Sequence, residues 1–265
     1  MEDQQFRQLL DYFGLSWRGY RRVRKGVKKR ISRHMSDLGC HNMAAYLIEL
    51  ATNKDARQIC ERLMTVSISR FFRDKKLWEI LQNKIIPQLI ERPQGKINVW
   101  VTGCASGEET YSLRIIWEDL RSIYLHLPNM EILATDLNPQ YLERAWAGAY
   151  PSSSLKELPE KLRSRYFYKQ TEKKLYLVKA LLKDGIVWQN HSLLNDPPGH
   201  QFNLIFLRNN LLTYYNDVIK ISALKKVTDS LSDNGFLIIG SHEKLPFDNR
   251  SVYSMVQLPY MFRKG

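Results

Sequence analysis

The sequence predicts an α/β fold: a mainly parallel sheet with a terminal antiparallel strand, preceded by a small all-helical N-terminal domain. Three observations carry this expectation. Residues 1–92 place apolar residues at helical spacing and offer no convincing strand. Pro93-Gln94-Gly95 then breaks the pattern. From Lys96 onward, short apolar runs alternate with helical stretches, which is the texture of a parallel sheet flanked by helices. The boundary is therefore set between 92 and 93, giving domains of 1–92 and 93–265, although the second domain is free to borrow the last helix of the first.

Taken in order, the first notable segment is WRGYRRVRKGVKKRISRHM, which predicts a basic helix over 18–33. Tyr20, Val23, Val27 and Ile31 supply a buried stripe, and Arg21, Arg22, Arg24, Lys25, Lys28, Lys29 and Arg30 crowd the rest of its surface. Leu47, Leu50 and Ala51 suit a short helix after the Gly39 stop. Leu77, Trp78, Leu81, Ile85 and Leu89 trace the buried face of a later one. INVWVTG and MEILATDL are the first two strands of the α/β part, with TYSLRIIWEDLRSIY between them and PQYLERAWAGA after them as helices. GIVWQN, FNLIFLRN and GFLIIGSH are further strands, and a helix between Asp217 and Leu231 fits Ile219, Ile221, Leu224 and Val227. VYSMVQL and YMFRK suit a terminal antiparallel pair, while Asp196-Pro197-Pro198-Gly199 reads as a turn.

Composition bounds the function. At 265 residues the chain is long enough for a sizeable core. No apolar run approaches the roughly 20 residues of a membrane span, and the start MEDQQFRQLL is unlike an export signal, so a cytoplasmic protein is expected. Cys40, Cys60 and Cys104 lack metal-ligand spacing, which points to reduced thiols and no structural metal. A net charge of +13 directs attention to acidic macromolecular partners: nucleic acid, an anionic membrane surface or an acidic protein face.

The first strand ends at Gly103, a Gly-Cys-Ala-Ser-Gly turn follows, and a helix begins near Glu109. Gly103 and Gly107 allow positive φ and close backbone approach. The second strand ends in Asp136, where an acid accepts the hydroxyls of an adenosine ribose. Together these features point to an adenosine cofactor bound at the first crossover of a doubly wound sheet. The loop lacks the glycine patterns of dinucleotide and triphosphate sites, and Glu108 and Glu109 would repel phosphate. S-adenosylmethionine carries a sulfonium and no phosphate, and it suits these acids.

Along nearly its whole length the chain resembles the chemotaxis-receptor glutamate methyltransferases, the CheR family. The matching segments are TVSISRFFRD, VTGCASGEETYSL, ATDLNPQYLERAWAGAY, FNLIFLRNNLLTYYN and DNGFLIIGSHEKL. The resemblance implies a class I (Rossmann-like) methyltransferase sheet and S-adenosyl-L-methionine as cofactor, with S-adenosyl-L-homocysteine as product. It puts Arg73, Glu109 and Asp136 at cofactor-contacting positions, with Gly103 in the cofactor loop. Ser67 and Ser69 stand where the family has Asn and Thr, and Ser192 stands where it often has Asn before a Leu, here Leu193. Arg208 and Asn209 match an Arg-Asn pair, but one extra residue precedes the tyrosine, so Asn210 is an alternative to Asn209.

In chemical terms, a glutamate acceptor with a pKa of about 4.3 is already ionised and needs no general base. Arg73, whose guanidinium matches carboxylate geometry, and Tyr214, a donor or channel wall, are the candidate catalytic residues. The resemblance also implies that the basic region meets acidic methylation helices of receptors, so an acidic helical protein docking on 18–33 is the leading partner. Nucleic acid is the competitor. A small β element near 166–190, including KLYLV, lacks the glycine-rich loop that tethers some members to a receptor peptide. Methylation of a small-molecule carboxylate or hydroxyl or of nucleic acid, and a non-catalytic cofactor-binding regulator, are the alternative functions.

Overall fold

The structure, a computed structural model, describes residues 1–92, 95–199, 201–246, 252–255 and 258–265. Pro93 and Gln94, on which the sequence sets its break, and Val256 and Gln257, within the predicted strand VYSMVQL, lie outside the described residues. Strands in chain order are β1 (Lys96–Thr102), β2 (Asn129–Asp136), β3 (Ala149–Pro151), β4 (Phe167–Gln170), β5 (Leu175–Val178), β6 (Ile186–Asn190), β7 (Phe202–Leu207), β8 (Leu231–Ile239), β9 (Val252–Met255) and β10 (Leu258–Lys264). The large sheet runs β6-β2-β1-β7-β8-β10-β9. Its first five strands pair in parallel, and β10 lies antiparallel to both β8 and β9. The fold is the expected α/β one, with two antiparallel strands closing a parallel sheet.

Both faces of this sheet are covered, and the sequence reflects it. All six residues of β7 are buried, so FNLIFL reads as an almost unbroken apolar run instead of an alternating one. On one face Val99, Val101, Ile132 and Phe206 meet Leu113, Ile116 and Trp117 of the helix Glu108–Leu120. On the other, Trp100, Ile205 and Leu237 meet Leu224 and Val227 of the helix Asp217–Asp229. β1 is flanked by β2 on one side and β7 on the other, so the chain reverses its direction of travel across the sheet there. A crevice opens at such a point beyond the carboxyl ends of the strands.

The helix over 75–90 packs Leu77, Trp78, Leu81, Ile85 and Leu89 into the first of these sheet cores. A π turn at Leu81–Ile85 interrupts it ahead of Pro87, which has no N–H to donate into a regular helical ladder. A separate core joins the earlier helices through Phe6, Leu9, Val27, Ile31, Tyr46 and Cys60. In the helix Met43–Thr52 the buried residues are Met43, Tyr46 and Leu50, while Leu47 is half-buried and Ala51 exposed.

Two expectations need correction. The basic segment is not one helix: Trp17–Tyr20 and Arg24–Asp37 are separated by a turn at Arg21–Val23. Both pieces are anchored: the Tyr20 hydroxyl donates to Met64 O (3.0 Å) before the turn, and Val27 and Ile31 fill the helical core after it. The small β element is a three-stranded sheet, β3-β5-β4, and within 166–190 only β4 and β5 join it. Ile186–Asn190 instead pairs with Ile132–Asp136 as the edge of the large sheet.

The N-terminal helices are hooked onto the sheet beside the crevice. Ser16 N–H donates to Tyr214 O (2.7 Å), and Asn216 N–H donates to Gly14 O (2.9 Å). At Gly19 a Cβ would fall 2.1 Å from Thr213 O, so the contact admits no side chain. Among the described residues no helix is long and apolar enough to cross a membrane.

Candidate functional site

The turn after β1 is built around Asp136. Gly103, Ala105 and Gly107 all take positive φ (58°, 51° and 87°), which for Ala105 is a strained conformation. The Ala105 N–H donates to Asp136 Oδ2 (2.9 Å), and the Asn138 N–H donates to Oδ1 (2.8 Å), so one carboxylate holds both loops. Burial pushes the Asp136 pKa up, and the N–H groups of Asn138, Ala105 and Leu137 partly offset that. A carboxylate offers about four acceptor sites, so each oxygen keeps capacity for a hydroxyl. Gly103 has no room for a side chain either, since a Cβ would lie 2.5 Å from Asn210 Nδ2.

These groups face a cavity of about 430 Å³. Gly103, Ala105, Asp136 and Leu137 form its base, Ser192 and Leu193 follow β6, and Asn209, Asn210 and Tyr214 follow β7. The opposite wall comes from the N-terminal helices and the chain leaving them: Tyr20, Glu61, Met64, Thr65 and Val66. Among the described residues no Lys or Arg lines it; its carboxylates are Asp136 and Glu61, the latter also paired with Arg57 (3.3 Å). In a chain of net charge +13, this is an anionic hollow.

The cavity thus brings together Gly103, Asp136, Ser192, Leu193, Asn209 and Tyr214. Ser67, Ser69, Arg73, Glu109 and Arg208 are not among its lining residues. Arg208, nearly fully buried, donates to Glu109 Oε2 and to Asp74 Oδ2. Burial opposes its charge, but the two carboxylates outweigh that and push its pKa up. Glu108 is a buried acid whose pKa burial raises, an effect that the nearby Ser69 and Ser154 partly offset. Ser67 is half-buried in the same segment. Arg73 Nη1 donates to Ile68 O (2.7 Å).

Asn209 and Asn210 both line the cavity, but their side chains differ. The Asn210 amide donates to Thr102 O (2.9 Å), and its Oδ1 accepts from the Leu211 N–H (2.6 Å), so it fixes the strand end and caps a helix. Asn209, at φ 54°, is held through its backbone N–H on Glu243 Oε2 (2.9 Å). Tyr214 is packed against Tyr20 with ring centroids 5.1 Å apart. Its pKa is raised by burial and by Glu243, against which Arg73 acts in the opposite sense.

Sequence reasoning missed the residues of the opposite wall, and with them the lining residues Ala105, Leu137, His191 and Tyr215. Thr65 and Val66 open the motif TVSISRFFRD, so that signal was on the page, whereas Glu61 and Met64 look like ordinary helix positions. Tyr20 reads as a core residue from its spacing and is also a cavity wall.

The family described as CheR methyltransferase, SAM binding domain, matches residues 67–262. The chain belongs to this family. A chemotaxis protein methyltransferase of Listeria innocua is 38% identical over 194 residues, covering 72% of this chain and 71% of that protein. Another of Borreliella burgdorferi is 27% identical over 247 residues, covering 90% and 86%. A structure of PKMT2 from Rickettsia typhi in complex with AdoHcy is 14% identical with a TM-score of 0.37, covering 66% of this chain and 26% of that one. As a CheR family member the chain is an S-adenosylmethionine-dependent methyltransferase. Its cavity fits that cofactor: the volume lies within the range of about 300–1,000 Å³ usual for small-molecule sites. Asp136 keeps acceptor capacity that ribose hydroxyls could fill, and a lining without Lys or Arg among the described residues suits a ligand without phosphate.

Proposed function

We propose that this CheR family member forms methyl esters on glutamate side chains of an acidic helical protein, of the kind a chemoreceptor's cytoplasmic region provides. The observation that carries this reading is the separation of charge: a cavity with carboxylates and, among the described residues, no lining Lys or Arg, beside a helical segment rich in exposed Arg and Lys. The names of the relatives in Listeria innocua and Borreliella burgdorferi support the same substrate class. The cytoplasm is the matching location.

When bound, S-adenosylmethionine supplies a methyl group on a cationic sulfur; transfer to a carboxylate oxygen leaves a thioether and an ester, with no proton moved. Asp136 accepts from the ribose, and the Gly103–Ala105 turn lets the backbone approach. Asn209 contributes a side-chain amide that is uncommitted among the described residues, while Ser192 and Leu193 border the cavity after β6. Tyr20, Met64 and Tyr214 wall the cavity and limit the approach of water to the bound sulfonium. Arg73 orients the acceptor carboxylate with Tyr214 as a hydrogen-bond donor, and Ser67 and Ser69 position the segment carrying Arg73. Glu109 and Arg208 hold that segment to the sheet through Asp74. The cationic segment over 18–33 docks the acidic helix.

Incubation with methyl-labelled cofactor and an acidic receptor-type helical protein tests this. Label should appear on glutamate and be released by mild alkali. Label that survives mild alkali would exclude esters and sink the reading.

A further inference from the structure

We propose that Arg30 is a positioning residue for the cofactor cavity, clamping the wall at Leu63–Thr65 from the cationic face of the helical domain. Three successive carbonyls at the end of the helix Lys54–Met64 accept side-chain donors. Arg30 Nε donates to Leu63 O (2.9 Å), the Tyr20 hydroxyl to Met64 O (3.0 Å), and Arg30 Nη2 to Thr65 O (2.9 Å). The last carbonyls of a helix have no partner within it, and a guanidinium there satisfies two at once while opposing the negative end of the dipole.

What the clamp holds is a wall and not a surface loop. Met64, Thr65 and Val66 line the cavity opposite Asp136 and Leu137. Thr65 is bonded across the gap as well, its Oγ1 accepting from Asn138 Nδ2 (3.4 Å). Asn138 is the residue whose N–H is bonded to Asp136. A line of hydrogen bonds therefore runs from Arg30 through Thr65 and Asn138 to the carboxylate at the cavity base. Other cations of the segment lack this connection: Arg22, Lys25 and Lys29 are exposed and form no ion pair among the described residues, and Arg24 and Lys28 pair with Asp3. Arg30 is thus distinguished by geometry from neighbours that share its charge.

The proposal rests on the cavity being the S-adenosylmethionine site, and calorimetry with S-adenosylhomocysteine on the full chain separates the two. Arg30→Ala should weaken binding about tenfold, as expected for loss of two charge-assisted hydrogen bonds. It should raise KM for S-adenosylmethionine while kcat is retained. Arg30→Lys keeps the charge without the two-pronged fork and should recover only part of the affinity. Lys169→Ala, which removes an exposed cation from the small sheet, should bind like the parent. Arg30→Ala binding within twofold of the parent, or full recovery in Arg30→Lys, would overturn the clamp. Should Arg30→Ala not fold, Arg30→Gln keeps a donor without the charged fork and should still weaken binding about threefold; an unchanged affinity would overturn the clamp equally. A parent chain that does not bind S-adenosylhomocysteine would instead overturn the cofactor assignment.

Discussion

Asp136 shows how much one side chain settles here. Its two oxygens hold the backbone of Ala105 and Asn138, and replacing one oxygen by an amide sets a donor against a donor. Asp136→Asn is therefore expected to weaken cofactor binding by between about tenfold and about a hundredfold by calorimetry, the range for losing hydrogen bonds to a charged group. The raised pKa adds a pH signature. The charged acceptor exists above the shifted pKa and is lost as pH falls through it, so affinity should fall away at a higher pH than for an exposed aspartate. For stability the same shift has the other sign: its favourable contribution is full below the unfolded pKa and is lost as pH rises to the folded one. Asp136 and Gly103 were legible in the sequence because a strand-end acid and a strand-end glycine follow from local chain geometry. The partnership of Arg208 with Glu109 was not legible, since 99 residues separate them and either could have faced the ligand.

At the level of elements, that partnership is a clasp. Arg208 extends from the end of β7 and binds Glu109 in the first turn of the helix Glu108–Leu120 and Asp74 at the head of the 75–90 helix. Removing the guanidinium leaves two acids facing one another with no cation between them. Arg208→Ala should cost about 3–5 kcal/mol in denaturant unfolding, and adding Glu109→Gln should return part of it. The strands were readable because apolar runs of five to eight residues between turns admit few alternatives. Whether the 75–90 helix joins the sheet was left open by the sequence, because an apolar stripe records burial without saying against what. The break at Arg21–Val23 escaped notice for a related reason: Tyr20 and Val27 are seven residues apart, which keeps the helical period across a turn that interrupts the helix.

For the molecule as a whole, charge is sorted by depth. Exposed cations of the helical domain face solvent, while among the described residues the cavity is lined by the carboxylates of Asp136 and Glu61 and by no Lys or Arg. Surface attraction is screened once the Debye length shrinks, to about 10 Å at 0.1 M salt. On the proposed function, KM for the acidic protein should therefore climb with ionic strength in steady-state assays, while the dissociation constant of the cofactor, held at short range in the cavity, changes less. The same sorting bears on turnover. On the proposed function, transfer converts a cationic sulfur and an anionic side chain into two neutral groups, so each reactant would lose the charge by which its own region of the protein attracts it. Discharge of both partners is thus coupled to the bond change itself, and release of the spent molecules needs no separate trigger.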